Sequence, residues 1–426
     1  VNPIDVSAFR RPGAEIKEGL IPVNMFYVSQ TLTDNLSAEA FYQLEWDQTV
    51  TDNCGTFFSQ PDVISDGCTD NLRLLSKRSF LATQPGALPL LNNFGVNVNE
   101  EGVLVKRGPD RDARDSGQFG VAFHYNYEPL DTEFGAYFMN YHSRAPIFSA
   151  RGASAGTYAA ANALTPTPAV GLRPLIVAGN SSYFVEYPED IRLYGLSFST
   201  TLPTGTAWSG ELSYRPNAPV QLNTTDILYA GVTPLIGLGA ASPLKGAADT
   251  DLNGYRRKEI TQFQTTFTHF FDQVMGASRL TLVGEVGVTH VGGLESRDKA
   301  RYGRDPVYGP GQGALCTTLN SGTITGAGPG ADASNRTTNC NNDGFTTSTS
   351  WGYRGRAIWE YPDVFAGVNR KPNVAWSHDV SGYSPGPGGN FEEGRKAVSL
   401  GLDAEYQNTY TASLAYTNFF GGDYNT

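Results

Sequence analysis

The sequence predicts an all-β protein, a transmembrane antiparallel up-and-down β-barrel with about a dozen visible strands. Three observations predict it. Segments of about ten residues alternate apolar and polar side chains, the period-2 signature of a strand with one greasy face. The segments come in pairs joined by brief turns. The connections then alternate between short and long, as in outer-membrane barrels with short turns on one rim and long loops on the other. No run of about 18 apolar residues occurs, so no transmembrane helix is predicted.

The clearest pair is 397–407 and 410–419. Val398, Leu400, Leu402, Ala404 and Tyr406 share one parity, and Ser399, Gly401, Asp403, Glu405 and Gln407 the other. Asn408-Thr409 supplies the turn, and Tyr410, Ala412, Leu414 and Tyr416 resume the alternation. Each arm is long enough to cross a bilayer when tilted, at roughly 9–11 residues per strand.

From the start of the chain, 23–32 reads as a less regular strand, with a turn at 33–35. In 36–48, Leu36, Ala38, Ala40, Tyr42, Leu44 and Trp46 oppose Ser37, Glu39, Gln43, Glu45 and Asp47, with Phe41 the exception. A long excursion over about 49–117 follows. Segment 118–128 carries Phe119, Val121, Phe123, Tyr125 and Tyr127 against Gln118, His124, Asn126 and Glu128. After a turn at 129–132, 133–142 returns with Phe134, Ala136 and Phe138 on one face. A second long loop spans about 143–182. The third pair is 190–202 and 206–215, the latter setting Trp208, Leu212 and Tyr214 against Ser209, Glu211, Ser213 and Arg215. Loop 216–255 leads to 257–271 and, after a bend at 272–277, to 279–291 with Leu280, Leu282, Val286 and Val288 on one face. The longest loop, about 292–350, precedes 351–361, a connection of middling length at 362–372, the strand 373–381 and the loop 382–394.

Which face meets lipid follows from charge. The polar parity carries Glu39, Glu45, Asp47, His124, Glu211, Arg215, Glu285, Arg354, Arg356, Glu360, Asp379, Asp403 and Glu405. These are the predicted lumen-lining residues. The apolar parity is nearly free of charge in mid-strand. A Lys or Arg facing mid-bilayer lipid costs roughly 2–4 kcal/mol, which would sort charges this strictly. Tyr42, Trp46, Tyr125, Tyr127, Trp208, Tyr214, Trp359 and Tyr361 lie near strand ends, where aromatic girdles sit. The competing reading is a soluble barrel or sandwich with a solvated charged face.

The net charge of −11 argues against a nucleic-acid partner. The four cysteines fall as two close pairs, Cys54 with Cys68 and Cys316 with Cys340. Neither pair has zinc-site spacing, so each is read as a disulfide closing one loop in an oxidising compartment; four free thiols are the alternative. The chain begins at Val1 with no signal peptide, the expectation for a processed precursor or a fragment.

No nucleophile elbow, zinc-protease motif or phosphate-binding loop is present, and His142-Ser143 are strand neighbours facing opposite ways. No catalytic, cofactor or metal residues are assigned, and no enzymatic activity is expected. The charged run from Arg107 to Asp115 lacks the pattern of a calcium loop and reads as a solvated loop with internal Arg–Asp pairs. Two long loops are less polar than loops should be. One is 156–179. The other, 226–244, contains Ile227, Leu228, Tyr229, Leu235, Ile236 and Leu238. Such loops either form an apolar way in at the barrel mouth or pack into a cap of their own.

Asp115-Ser-Gly-Gln-Phe-Gly, Phe138-Met-Asn-Tyr-His-Ser-Arg, Glu186-Tyr-Pro-Glu-Asp-Ile-Arg-Leu-Tyr-Gly and the opening Asn2-Pro-Ile-Asp-Val-Ser-Ala-Phe-Arg-Arg-Pro-Gly resemble a proteobacterial outer-membrane β-barrel family catalogued as domain of unknown function 1302 (DUF1302). The resemblance covers most of the chain. It implies a barrel encoded near transport or catabolic genes and passing hydrophobic compounds, and it carries no catalytic residues. Family members look longer at both ends, which implies about 14–16 strands in the full protein.

The expected function is an outer-membrane channel for small hydrophobic or amphipathic organic compounds. The alternative is a structural barrel with a plugged lumen. The expected location is the bacterial outer membrane. The expected partners are its lipid and lipopolysaccharide, small organic solutes, and another copy or an envelope protein.

Overall fold

The computed structural model describes residues 2–10, 16–59, 62–74, 78–164, 169–309, 311–316, 340–407 and 409–424. Twelve long strands form one antiparallel sheet in chain order, each beside the next. They are β1 (Met25–Thr33), β2 (Leu36–Gln43), β3 (Gln118–Tyr127), β4 (Thr132–Tyr141), β5 (Ile191–Thr201), β6 (Ala207–Gln221), β7 (Tyr255–Asp272), β8 (Arg279–Gly292), β9 (Thr349–Phe365), β10 (Val368–Ser381), β11 (Lys396–Tyr406) and β12 (Tyr410–Phe420). Among the described residues, β1 and β12 pair on one side only. No described helix is long and apolar enough to cross a membrane.

The pairing sets the faces. Leu196 pairs with Ala136 and Leu212, and Phe263 with Leu212 and Val288, so one face runs apolar from strand to strand. It is also open to its surroundings: Leu196 is 59% exposed and Leu400 54%. A band of that size is not left in water. Glu285 pairs with Thr266 and Arg354, and Asp403 with Lys371 and Ser413, on the opposite face. Phe41, the exception to the alternation, faces this polar side. Its ring lies against Gly120, where an added Cβ would sit 2.5 Å from the ring.

Three strand limits differ from the sequence expectation. β2 ends at Gln43, not at residue 48. Beyond it the Trp46 amide donates to Asp115 and its indole N–H to the Ser143 carbonyl, while its ring packs edge-on against Tyr187. Trp46 is therefore a loop anchor and not a girdle residue. The connection at 362–372 is instead a turn of two residues, Ala366 and Gly367, both with positive φ. The two prolines that bound this stretch, Pro362 and Pro372, lie inside strands. Pro362 falls in the irregular stretch where the β9–β10 register shifts between Tyr361 and Phe365, and a bulge tolerates a missing N–H, whereas Pro372 is paired in regular register with Leu402 of β11. Likewise β6 continues to Gln221 through a register shift between Arg215 and Ala218. The shift inverts parity. Ala218 and Val220 thus share the polar face with Lys258 and Arg256.

The long loops are not open excursions. They build a second layer over the polar face at one end of the sheet. It contains a four-stranded sheet from Lys106–Arg107, Ile147–Arg151, Ser182–Glu186 and Asp251–Leu252, and a three-stranded one from Arg73–Leu74, Val98–Asn99 and Gly102–Leu104. Short helices join them. Ser154 caps Ala155–Ala163 and Asn223 caps Thr224–Ala230, each side chain accepting from the third amide on. One apolar cluster, around Leu91, Val103, Ile176 and Val177, belongs wholly to the loops. A second joins loop residues Phe148, Tyr183 and Ile227 to Val220, Ile260 and Val291 of the sheet. This layer is a cap whose core is continuous with the polar face.

Candidate functional site

The polar face is built by β-register alone, so its side chains are placed by hydrogen-bonded backbone and not by loops. Of the predicted lining residues, Glu39, His124, Glu211, Arg215, Glu285, Arg354, Arg356, Glu360, Asp379, Asp403 and Glu405 lie within strands on this face. Glu45 and Asp47 do not, because β2 has already ended. Glu45 accepts from the Asn24 amide and side chain, fastening the start of β1, and Asp47 accepts from the Gln48 amide. Neighbouring charges are linked: Arg354 lies 3.8 Å from Glu285, and Asn373 bridges Arg356 to Asp403.

One loop crosses this face. Residues 382–395, between β10 and β11, form a strap that reaches across to β6, where the Gln221 amide donates to the Gly386 carbonyl at 3.3 Å. Three contacts hold it. Phe391 sits in a notch made by the paired Gly287 and Gly352, whose missing Cβ atoms would lie 2.9 and 3.0 Å from its ring. Arg395 forms an ion pair with Asp379 at 2.7 Å, so this acid anchors the strap. Ser384 and Ser350 hydroxyls bond at 2.9 Å.

Beneath residues 384–390 of the strap lies a cavity of about 380 Å³. Its floor comes from Tyr141 of β4, Ile191 of β5, Arg215 of β6, Ile260 of β7 and Thr289 of β8, and its side from residues 143–147. Two arginines line it and, among the described residues, no carboxylate does. Arg215 donates to the Gln262 side-chain oxygen, but its Nε is buried without a partner. Arg144 donates to the Asp47 carbonyl at 2.7 Å and to the Gln43 and Gln118 side-chain oxygens. Burial draws its guanidinium below its ordinary value, which the charge of nearby Asp47 partly offsets. Sequence reasoning found Arg215 and missed Arg144, which sits just past β4 in what read as loop.

A larger, more open hollow of about 700 Å³ carries Arg111, Arg192 and Arg257 beside Glu186, Glu189 and Asp190. Its charges are largely used. Arg257 donates to the Asn217 and Glu189 carbonyls, and Arg111 pairs with Asp251.

The apolar loop 226–244 turns inward. Ile227, Tyr229 and Leu235 are buried in the two clusters, Leu228 and Leu238 pack against them, and only Ile236 of the six stays exposed, at 72%. The cap also holds a buried bidentate pair, Asp226 with Arg301, that the sequence did not signal. Both disulfides are present, Cys54–Cys68 and Cys316–Cys340. Arg107 pairs with Asp110 and donates to the Ser65, Ile64 and Cys68 carbonyls, gripping the first disulfide loop. The rest of the charged run pairs with other loops and not internally: Arg114 reaches Glu189 and Asp190. Among the described residues no acid, His and Cys cluster could hold a metal. His142 accepts from the Asp190 amide at Nδ1 and donates from Nε2 to the Ser116 carbonyl, which occupies both ring nitrogens with backbone.

An apolar band open on one face of a twelve-stranded meander, with the charges sorted to the other, defines the class: a β-barrel protein of the outer membrane. The whole chain, residues 1–426, belongs to the family described as protein of unknown function DUF1302, a family of outer-membrane proteins from Proteobacteria. No curated protein sequence matches the chain. Among solved structures it is similar to the ferric enterobactin receptor of Pseudomonas aeruginosa at 12% identity. One such structure covers 92% of this chain and 40% of the receptor chain with a TM-score of 0.32. Two others, one in complex with enterobactin, cover 93% and 50% with TM-scores of 0.32 and 0.33. The chain spans half or less of the length of those receptor chains.

Proposed function

We propose that the protein is a passive channel of the outer membrane for small organic molecules with apolar or amphipathic character. The observation that carries the reading is the cavity beneath the strap. It lies on the charged face, and it is floored by both polar and apolar side chains. A ligand site of about 300–1,000 Å³ with few polar groups in an apolar wall is the usual form for small organic ligands. In this reading the long loops face the outside and the charged strand residues line the pore. The strap acts as its constriction. No catalytic step is proposed. The test is single-channel conductance of the purified protein in planar bilayers, with and without phenylacetate. No conductance steps in any salt would overturn it.

The second reading is a plugged structural barrel. The cap supports it, because its apolar core is continuous with the sheet. A hollow in that core, beside Ile227 and Leu228, measures about 40 Å³, room for little more than a water molecule. A barrel impermeable to ions and to small organic solutes would favour it.

A further inference from the structure

We infer that the cavity beneath the strap is a binding site for the anionic head of a small amphipathic organic acid, with Arg215 as the residue that receives the carboxylate. The inference rests on the channel reading and names the substrate class of that site.

The charge is the first argument. The chain carries a net charge of −11, yet the residues lining this cavity include two arginines and no acid. A positive pocket inside a negative protein selects by sign at close range, whatever the long-range field does.

The second argument is an unmet need. The Arg215 Nε is buried without an acceptor, and Nη2 faces the neutral Gln262. Among the described residues no carboxylate forms an ion pair with Arg215. The side chain is half-buried beside the cavity, and a planar fork of donors fits a carboxylate in two places at once. Arg144 is already bonded to neutral oxygens of Asp47, Gln43 and Gln118, so it adds field and not a free fork.

The third argument is the opposite wall. Ile147, Ile191 and Ile260 meet Pro385 and Pro387 of the strap around the same space. Such a lining takes a hydrocarbon or aryl tail and rejects a second charge. The site thus fits one anionic group at one end and an apolar body at the other.

The test uses the full chain in detergent and three probes of one shape: phenylacetate, 2-phenylethanol and 2-phenylethylammonium. Affinity is read by calorimetry. The wild-type protein is expected to bind phenylacetate about 10–100-fold more tightly than either of the others, the span of one charge-assisted contact. Arg215→Gln is expected to erase that preference and Arg215→Lys to keep part of it. Heat-modifiability on gels reports whether each variant is folded. If Arg215→Gln does not fold, the three-probe comparison on the wild type decides alone. Equal affinity for the three probes, or a preference for the ammonium, overturns the inference. So does an unchanged preference in folded Arg215→Gln. The two readings fail separately. Conductance without carboxylate preference removes this inference and leaves the channel, and carboxylate binding without conductance removes the channel and leaves the site.

Discussion

Removing the Phe391 ring should release the strap. The ring is 9% exposed and fills a notch that exists because Gly287 and Gly352 pair directly on β8 and β9. Full burial of a Phe side chain is worth roughly 1.5–3 kcal/mol. Taking about 2 kcal/mol for Phe391→Ala, the ratio of docked to lifted strap falls by a factor of about 30. The strand pairing around the notch is backbone hydrogen bonding that the ring does not enter, so the sheet itself is untouched. Limited trypsin digestion reads the change at Arg395, which is tied to Asp379 while the strap is docked. Where opening is fast, cleavage tracks the population of the lifted form, so the cut should come about 30-fold sooner. Gly287→Val attacks the same joint from the other side, since its new Cβ would meet the Phe391 ring at 2.9 Å. The two variants should behave alike. Unchanged cleavage in both would mean that the ring does not hold the strap, and the reasoning from the glycine notch would be wrong.

Three further outcomes are expected. Arg301→Met leaves the buried Asp226 carboxyl without its partner, which should cost the cap about 3–5 kcal/mol while the sheet stays intact; hydrogen exchange over 224–244 against the strands measures it. Burial would raise Glu295, but hydrogen bonds from Lys258, Tyr302 and Arg256 outweigh it and bring it down to about 2. Its folded value lies below the ordinary 4.5, so its stabilising share is full above that pH and is lost as pH falls toward about 2. The melting temperature of the cap should fall over that window, and Glu295→Gln should flatten this part of the profile. Leu196→Arg places a charge on the open apolar face and should cost roughly 2–4 kcal/mol in unfolding from lipid, whereas Ser197→Arg on the polar face should be tolerated.

Most strands are legible because period-2 alternation and the confinement of charge to one parity agree, whereas β1 and β12 carry no charge and rest on alternation alone. Polar alternation runs on through Glu45 and Asp47 although the chain has left the sheet, since parity alone cannot mark an end. Pro362 and Pro372 bound a stretch that reads as a connection, yet Pro362 sits in a bulged stretch and Pro372 is paired in regular register with Leu402. Of the cap, only the two disulfides and the apolar character of the loops 156–179 and 226–244 are legible. Its helices run from five to nine residues, too short for a periodic stripe, and its core joins loops far apart in sequence, such as Val103 with Ile176 and Tyr229. The candidate site was half legible for the same reason. Arg215 lies on a strand with a readable parity, while Arg144 is placed by Gln43, Gln118 and the Asp47 carbonyl, none of which sequence spacing could connect to it.

The inversion at Arg215–Ala218 makes β6 a strand that belongs to two phases. Its first part turns Trp208, Leu212 and Tyr214 toward hydrocarbon, and its last part turns Ala218 and Val220 into a water-excluded core of ordinary globular kind. A single extra step of backbone lets one continuous ribbon change solvent without a break. It follows that the two layers cannot be traded independently among related proteins. A graft that removed the outer layer would strip Val220, Ile260 and Val291 of their cover, so any exchange of loops must bring with it a greasy counterpart for those three.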